Sequence, residues 1–294
     1  MTLNRVMEIV TESEMIHLHF CNKNEGNYHK LTPDISDNIR ENVKAICQKN
    51  LERIGQMTVV DYNPIGVDDG VIEKCQLSDY GEIPRLLEVL DATESGVPDP
   101  KDTSFYVYEF QIDEHSAYIF RRHNKLQAIR KGILGYFIEG KFSSIVNQDF
   151  FGIDDKIDLI IFENSIWINN HIAFERIFNL QNEFKNIAAR ILNNPRFSTK
   201  IVNFEQLKDG IMENMNYVKR VSKLNENNAL IFLNDTADKR VREVISDLDL
   251  DIEIDEEQRF IYRDRSQISN FVNFMQDAYY RTLIGEEMGV DERR

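Results

Sequence analysis

Cysteine is scarce in this chain. Cys21, Cys47 and Cys75 are widely spaced and odd in number, which excludes a disulfide framework, and no CxxC or Cys–His cluster has metal-ligand spacing. All three are expected to be buried apolar fillers in a reducing cytoplasm. Long hydrophobic runs are missing too. Leu159–Phe162 is typical of the longest, far short of a bilayer span. The N-terminal MTLNRVMEIVTESEM carries Glu8, Glu12 and Glu14 where a signal peptide needs an apolar core. Catalytic signatures are lacking: Gly66 and Gly70 are not followed by the Lys–Ser/Thr of a phosphate loop, and no Gly-x-Ser-x-Gly elbow occurs. His17 and His19 share one strand face without a third ligand, so an exposed polar face accounts for them. Positive charge is the last shortage: 35 Lys and Arg against 50 Asp and Glu leave a net charge of −15, which argues against a general nucleic-acid protein.

What is present is a globular composition, 42% hydrophobic with 18 Phe and 11 Tyr, long enough for one large domain or two smaller ones. Alternation in Met15–Cys21 predicts a strand, and the apolar stripe over Pro33–Ile54 a helix stopped by Gly55. Short strands are expected at Met57–Val60 and Val71–Cys75, and a helix at Glu82–Leu90. Thr93–Thr103, with Gly96, Pro98 and Pro100, is the clearest loop. Beyond it three hairpins occur in succession: Phe105–Ile112 with Ala117–Arg122, Ile133–Phe137 with Phe142–Val146, and Ile157–Phe162 with Ile166–Ile168. They predict an antiparallel meander over roughly 105–169. Helices are then expected at His171–Asn193, with a break near Asn179–Asn182, and at Phe204–Lys223 and Ala237–Ser246. Ala229–Leu233 reads as a short buried strand, Leu250–Ile254 with Arg259–Tyr262 as a hairpin, and Ser266–Leu283 as an amphipathic helix capped by Gly285. The fold class is α+β: a hairpin-rich antiparallel sheet packed by C-terminal helices, with a smaller N-terminal αβ region. The expected divisions are 1–98, 99–285 and a solvated tail at 286–294.

The stretch Phe150–Phe178, FFGIDDKIDLIIFENSIWINNHIAFERIF, orders an Asp, an apolar run, an acidic turn, a second apolar run, an Asn and a helix carrying Phe-Glu-x-Ile-Phe. This order resembles the KwaB family, the soluble component of the Kiwa anti-phage defence system. The resemblance is strongest from Ile133 to Gly285, and a looser match runs upstream through DYNP (61–64), FYVYEF (105–110) and YIFRR (118–122). It implies a defence role, DNA binding, a KwaA-like transmembrane partner and self-association as a homodimer or higher oligomer.

Charge is unevenly placed. Residues 1–125 carry a net −9, 126–223 a net +2 and 224–294 a net −8. Arg121, Arg122, Lys125, Arg130, Lys131 and Lys141 stand against one acid, Glu139, and such a cluster suits phosphate oxygens. Lys219, Arg220 and Lys223 form a further candidate set, although cations at a helix C-terminus also complement its dipole. Lys239 and Glu243 stand four apart and are expected to pair across a helix surface. No recognition helix, RNP-type motif or zinc finger occurs, so backbone contact without base reading is the expected form. No cofactor is expected.

The leading expectation is therefore a non-catalytic, sequence-independent binder of double-stranded DNA. It would act in the cytoplasm, at the inner face of the membrane through a partner, and block phage replication or transcription. The alternative is a metal-dependent nuclease using Glu109 and Gln111, which share a strand face, or Asp155 and Asp158. A second alternative is a scaffold that only docks to the membrane partner, with the Ser266–Leu283 segment as core, dimer face or dock.

Overall fold

A computed structural model describes residues 2–24, 27–66, 69–92, 102–123, 135–138, 141–144, 152–225, 228–234 and 238–291. The chain divides into two compact units, Met1–Tyr62 with Val67–Asn179, and Asn63–Gly66 with Leu180–Arg294. Among the described residues no helix is long and apolar enough to cross a membrane.

The first unit is built on a mostly antiparallel sheet. Its strands are β1 (Met15–Asn24), β2 (Asn27–Leu31), β3 (Thr58–Asp61), β4 (Val71–Gln76), β5 (Phe105–Ile112), β6 (His115–Arg122), β9 (Leu159–Phe162) and β10 (Ser165–Ile168). They lie in the order β2-β1-β5-β6-β9-β10-β4-β3, and only the β3–β4 pair is parallel. Among the described residues a separate hairpin, β7 (Gly135–Ile138) with β8 (Lys141–Ser144), forms a two-stranded sheet. The meander expected over 105–169 is thus present as β5-β6-β9-β10, with the middle hairpin set aside from it.

Two helices, α1 (Thr2–Glu12) and α2 (Asp37–Ile54), supply the core of one sheet face. Val6, Ile9 and Val10 of α1 follow the i, i+3, i+4 spacing of a buried stripe, and Val43, Cys47, Leu51 and Ile54 do the same in α2. They join Ile16, Leu18, Tyr106, Tyr108, Phe110, Ile119 and Ile160 from the strands. The alternate residues Phe105, Val107, Phe120, Leu159 and Ile161 are buried on the opposite face. There α3 (Glu82–Asp91) packs on β2 and α4 (His171–Ile177) on β6. Central strands covered on both sides read as continuous apolar runs, which is why FYVYEF and LIIF show little alternation. All three cysteines are buried, and burial pushes their thiols up, to about 12 for Cys75.

The structure differs from the expected break at 98/99. β1 pairs with β5 from Met15↔Gln111 to Cys21↔Phe105, so the N-terminal elements share one sheet with the strands beyond the loop. A ladder between residues about ninety positions apart leaves no local trace in composition.

The second unit contains α5 (Leu180–Leu192), α6 (Pro195–Lys200), β11 (Ile201–Val202), α7 (Phe204–Glu213), α8 (Met215–Ser222), α9 (Asp238–Asp247), β12 (Glu253–Ile254), β13 (Phe260–Ile261), α10 (Ile268–Met275), β14 (Tyr279–Arg281) and β15 (Met288–Val290). The expected hairpin is present as β12 and β13, and β11 adds to it in parallel. Ala229–Leu233 is not a strand but part of a 3-10 helix over Asn228–Leu233. The Phe204–Lys223 helix divides at Asn214, whose side chain accepts from the Asn216 N–H and caps α8. The helix expected to run to Leu283 stops at Met275. Asp277 is left-handed there (φ 50), and the Ala278 N–H returns to the Asn273 carbonyl at 2.9 Å, a left-handed helix stop. Tyr279–Arg281 then pairs with Met288–Val290, so part of the expected tail is a strand.

Candidate nucleic-acid interface

The motif around the β9–β10 hairpin proves to be a clasp. The two-residue turn Glu163–Asn164 closes it, with Glu163 left-handed (φ 52). Asp158, one residue before β9, is 1% exposed. Its backbone N–H donates to the Phe120 carbonyl, and its own carbonyl accepts the N–H groups of Asn169 and Asn170. Its carboxylate accepts from Arg121 Nη1 at 2.7 Å, the Arg122 backbone N–H at 2.6 Å and Asn170 Nδ2 at 2.9 Å. Asn170 Oδ1 in turn caps α4 through the Ala173 N–H. One buried carboxylate therefore ties the end of β6, the base of the hairpin and the start of α4.

Arg121 is consumed by this clasp. Its Nε and Nη2 donate to Asp154 at 2.9 and 2.5 Å, so every guanidinium nitrogen faces a carboxylate, and the residue is 6% exposed. Burial alone would lower its pKa, but the two carboxylates raise it and keep it charged. Burial likewise opposes the ionised form of Asp154, and Arg121 overcomes it, holding that carboxyl below its ordinary range. Arg121 is therefore not the exposed phosphate contact that its sequence neighbourhood suggested.

Arg122, the next residue, points to the other face of the sheet, where α4 packs on β6. Arg176 in the last turn of α4 is exposed and close enough to act on it. Burial, and then the Arg176 cation, lower the Arg122 pKa against the pull of Asp158. Neither guanidinium makes an ion pair or a hydrogen bond among the described residues. Arg176 was missed in the sequence. Its only trace was a cation in the helix that follows the hairpin, and nothing local shows that α4 docks beside Arg122.

The remaining predicted cations divide. Lys125, Arg130 and Lys131 lie outside the described residues, and Lys141 is described only as the first residue of β8. In the second unit Arg220 is 7% exposed. It donates to Gln276 Oε1 from Nε and Nη2 at 2.8 and 2.6 Å, and also to Asn273, so it serves the core. Lys219 lies over the Phe184 ring, 5.9 Å from its centroid, and Lys223 is exposed. Burial, then Arg220, lower the Lys223 pKa, while Asp291 raises it. Lys239 and Glu243 pair as spaced, at 3.9 Å.

The carboxylates proposed for a metal are dispersed. Glu109 is buried between His19 Nε2 at 2.9 Å and Ser116 Oγ at 3.0 Å. Burial would raise its pKa, but these partners lower it. His19, 2% exposed, also meets Thr32 Oγ1 at 2.7 Å, so the strand face expected to be an exposed polar one is partly a buried chain. Gln111 Nε2 donates to the Asp113 carbonyl. Asp155 is exposed beside Lys49, at 3.8 Å, while Asp158 is buried on Arg121. Among the described residues no group of three or more His, Cys, Asp or Glu is placed to hold a metal ion. A second polar cluster went unread in the sequence. His171 bridges Glu73 Oε2 at 2.8 Å and Glu175 Oε1 at 3.0 Å, with the Tyr62 ring stacked 5.1 Å away.

No curated protein and no solved structure shows significant similarity to this chain. The sequence model of the family described as Kiwa protein KwaB-like matches residues 100–285, which is more than half of the 294 residues and spans the clasp, Arg122, Arg176 and most of the second unit. The chain belongs to the KwaB-like family and is thereby a component of Kiwa-type anti-phage defence.

Proposed function

We propose that this protein is a non-catalytic, sequence-independent DNA-binding effector of its Kiwa-type system. It acts in the cytoplasm as a homo-oligomer, with a KwaA-like transmembrane partner that brings it to the inner face of the membrane. The observation that carries the reading is the Arg122–Arg176 pair. Two guanidinium groups placed within electrostatic reach, one of them partly desolvated, and neither ion-paired nor hydrogen-bonded among the described residues, form a site that gains by receiving an anion. They stand where β6 leads into the segment that carries Lys125, Arg130, Lys131 and Lys141. Phosphate oxygens along a duplex suit several cations, and neutralising them releases counterions whatever the base sequence. A protein held on the backbone in this way obstructs polymerases without chemistry of its own. The acidic remainder of the chain repels DNA from other surfaces and makes retention depend steeply on salt.

The test runs band shift and plasmid cleavage in parallel on the full chain with Mg²⁺ or Mn²⁺. The expected result is a shift of unrelated duplexes without cutting, weakened on the order of tenfold at low salt by Arg122→Glu with Arg176→Glu. An unchanged shift in that variant removes the pair from the site. Cutting that Glu109→Gln abolishes transfers the function to a nuclease. Neither shift nor cutting leaves a scaffold that docks to the membrane partner.

A further inference from the structure

The C-terminal hairpin of the second unit presents a hydrophobic knob beside a cavity, or socket, of mixed apolar and charged lining. Of the nine large hydrophobic residues exposed among the described residues, five lie here: Ile231, Tyr280, Leu283, Ile284 and Val290. Leu283 and Ile284 are fully exposed, at 100% each. They form the turn of a built hairpin. Tyr279↔Val290 to Arg281↔Met288 are in register, the Thr282 N–H donates to the Glu287 carbonyl at 2.9 Å, and the Tyr280 ring lies across Gly289 so closely that a Cβ there would fall 2.7 Å from it. Two adjacent aliphatic side chains held out on an ordered turn mark an interaction site more than scattered surface apolarity does.

Against the same hairpin lies a cavity of about 500 Å³, lined by the apolar Ile231, Phe232, Val241, Phe274, Tyr280 and Met288 together with charged residues. This is within the size range of ligand pockets, roughly 300–1,000 Å³. Of the charged residues lining the cavity, Glu243 pairs with Lys239, Arg281 with Asp247, and Asp277 is partnered as well. Glu286 and Glu287 flank the knob, Arg240 stands at the socket, and none of the three has an ion-pair partner among the described residues. The acidic pair opposes seating the knob in an anionic membrane. A knob and a socket borne by one element, with opposite unsatisfied charges, satisfy each other when a second copy is related by a two-fold axis.

We infer that the Thr282–Glu287 turn of one protomer inserts Leu283 and Ile284 into the cavity beside Tyr280 and Ile231 of a second copy, with Glu286 and Glu287 meeting its Arg240. This deepens, and rests on, the proposed self-association, and it does not involve the DNA contacts. Light scattering of the full chain at micromolar concentration should give twice the monomer mass. Leu283→Glu with Ile284→Glu should weaken association by roughly tenfold or more, with far-UV circular dichroism and DNA shift kept as measures of folding. Arg240→Glu alone should weaken it, and adding Glu286→Arg with Glu287→Arg should restore it. Ile284→Cys with Ile231→Cys should cross-link between chains under oxidation, since the native cysteines are buried. A dimer indifferent to the knob substitutions and the charge swap overturns this surface and leaves self-association standing. A wild-type monomer overturns both. Recovery of the wild type, but not the knob variant, on neutral vesicles assigns the turn to lipid and overturns the proposal.

Discussion

Asp158 shows how much of this unit hangs on single side chains. Its carboxylate accepts three hydrogen bonds, one from a buried cation, and removing it takes the acceptors from Arg121 Nη1 and the Arg122 N–H together, while Asp154 still holds the rest of the guanidinium. Breaking one partner of a buried pair costs about 3–5 kcal/mol. Asp158→Ala is therefore expected to lose about that much stability in urea denaturation, and a loss within about 0.5 kcal/mol would place it with ordinary surface changes and show that the clasp holds nothing. At His171 the variable is pH. Burial disfavours a charged His171, but the hydrogen bonds and charges of Glu175 and Glu73 outweigh it and raise the pKa to about 9. The unfolded value lies near 6.5. A raised folded pKa contributes stability fully present below pH 6.5 and lost as pH rises through about 9. The melting-temperature advantage of wild type over His171→Gln should be constant at acidic pH and shrink across that window. A constant gap through pH 9 would show that the charge on His171 is not what matters.

At the scale of elements, turns decide where the chain reverses, and they were only partly legible. The acidic turn of β9–β10 was readable because Glu163–Asn164 interrupts two apolar runs, yet Glu163 pays for its left-handed backbone. Glu163→Gly should leave stability unchanged or raise it by up to about 1 kcal/mol, whereas Glu163→Val should cost about 1–2 kcal/mol in thermal melts. Equal effects of the two would deny that the conformation is strained. The helix break at Asn179, itself left-handed, followed from the Asn-rich sequence. The breaks at Asn214 and Asp277 were hidden because the amphipathic period runs on through them, and capping is a local hydrogen-bond choice that periodicity does not register. Past Asp277 the two tyrosines enter a strand because Val290, Gly289 and Met288 come back to pair with them, a partner outside any helix-length window.

For the whole molecule the governing quantity is charge, −15 overall with a mildly positive middle third. The proposed DNA contact is therefore expected to show a large negative slope of log affinity against log salt. Arg122→Glu with Arg176→Glu should reduce that slope by about 2, and equally for unrelated duplexes. A variant that loses affinity for some sequences and not others would indicate base reading. Lys219, Arg220 and Lys223 make the contrasting case. Arg220 belongs to the core of the second unit, so Arg220→Ala should lower that unit's stability by about 1–3 kcal/mol for its stranded amide partners.

The linear sequence by itself determined what short-range chemistry controls: the α+β class, hairpin pairs closed by acidic turns, the burial of all three thiols, and a motif order specific enough to indicate the family. The tertiary structure alone decided which cations are ion-paired. Arg121 and Arg122 are neighbours of the same type, but consecutive strand residues face opposite sides. One side brings Asp154 and Asp158 to a guanidinium, and the other brings Arg176. Neutralised and unneutralised charge differ by which distant segment arrives beside them, and that is a property of packing.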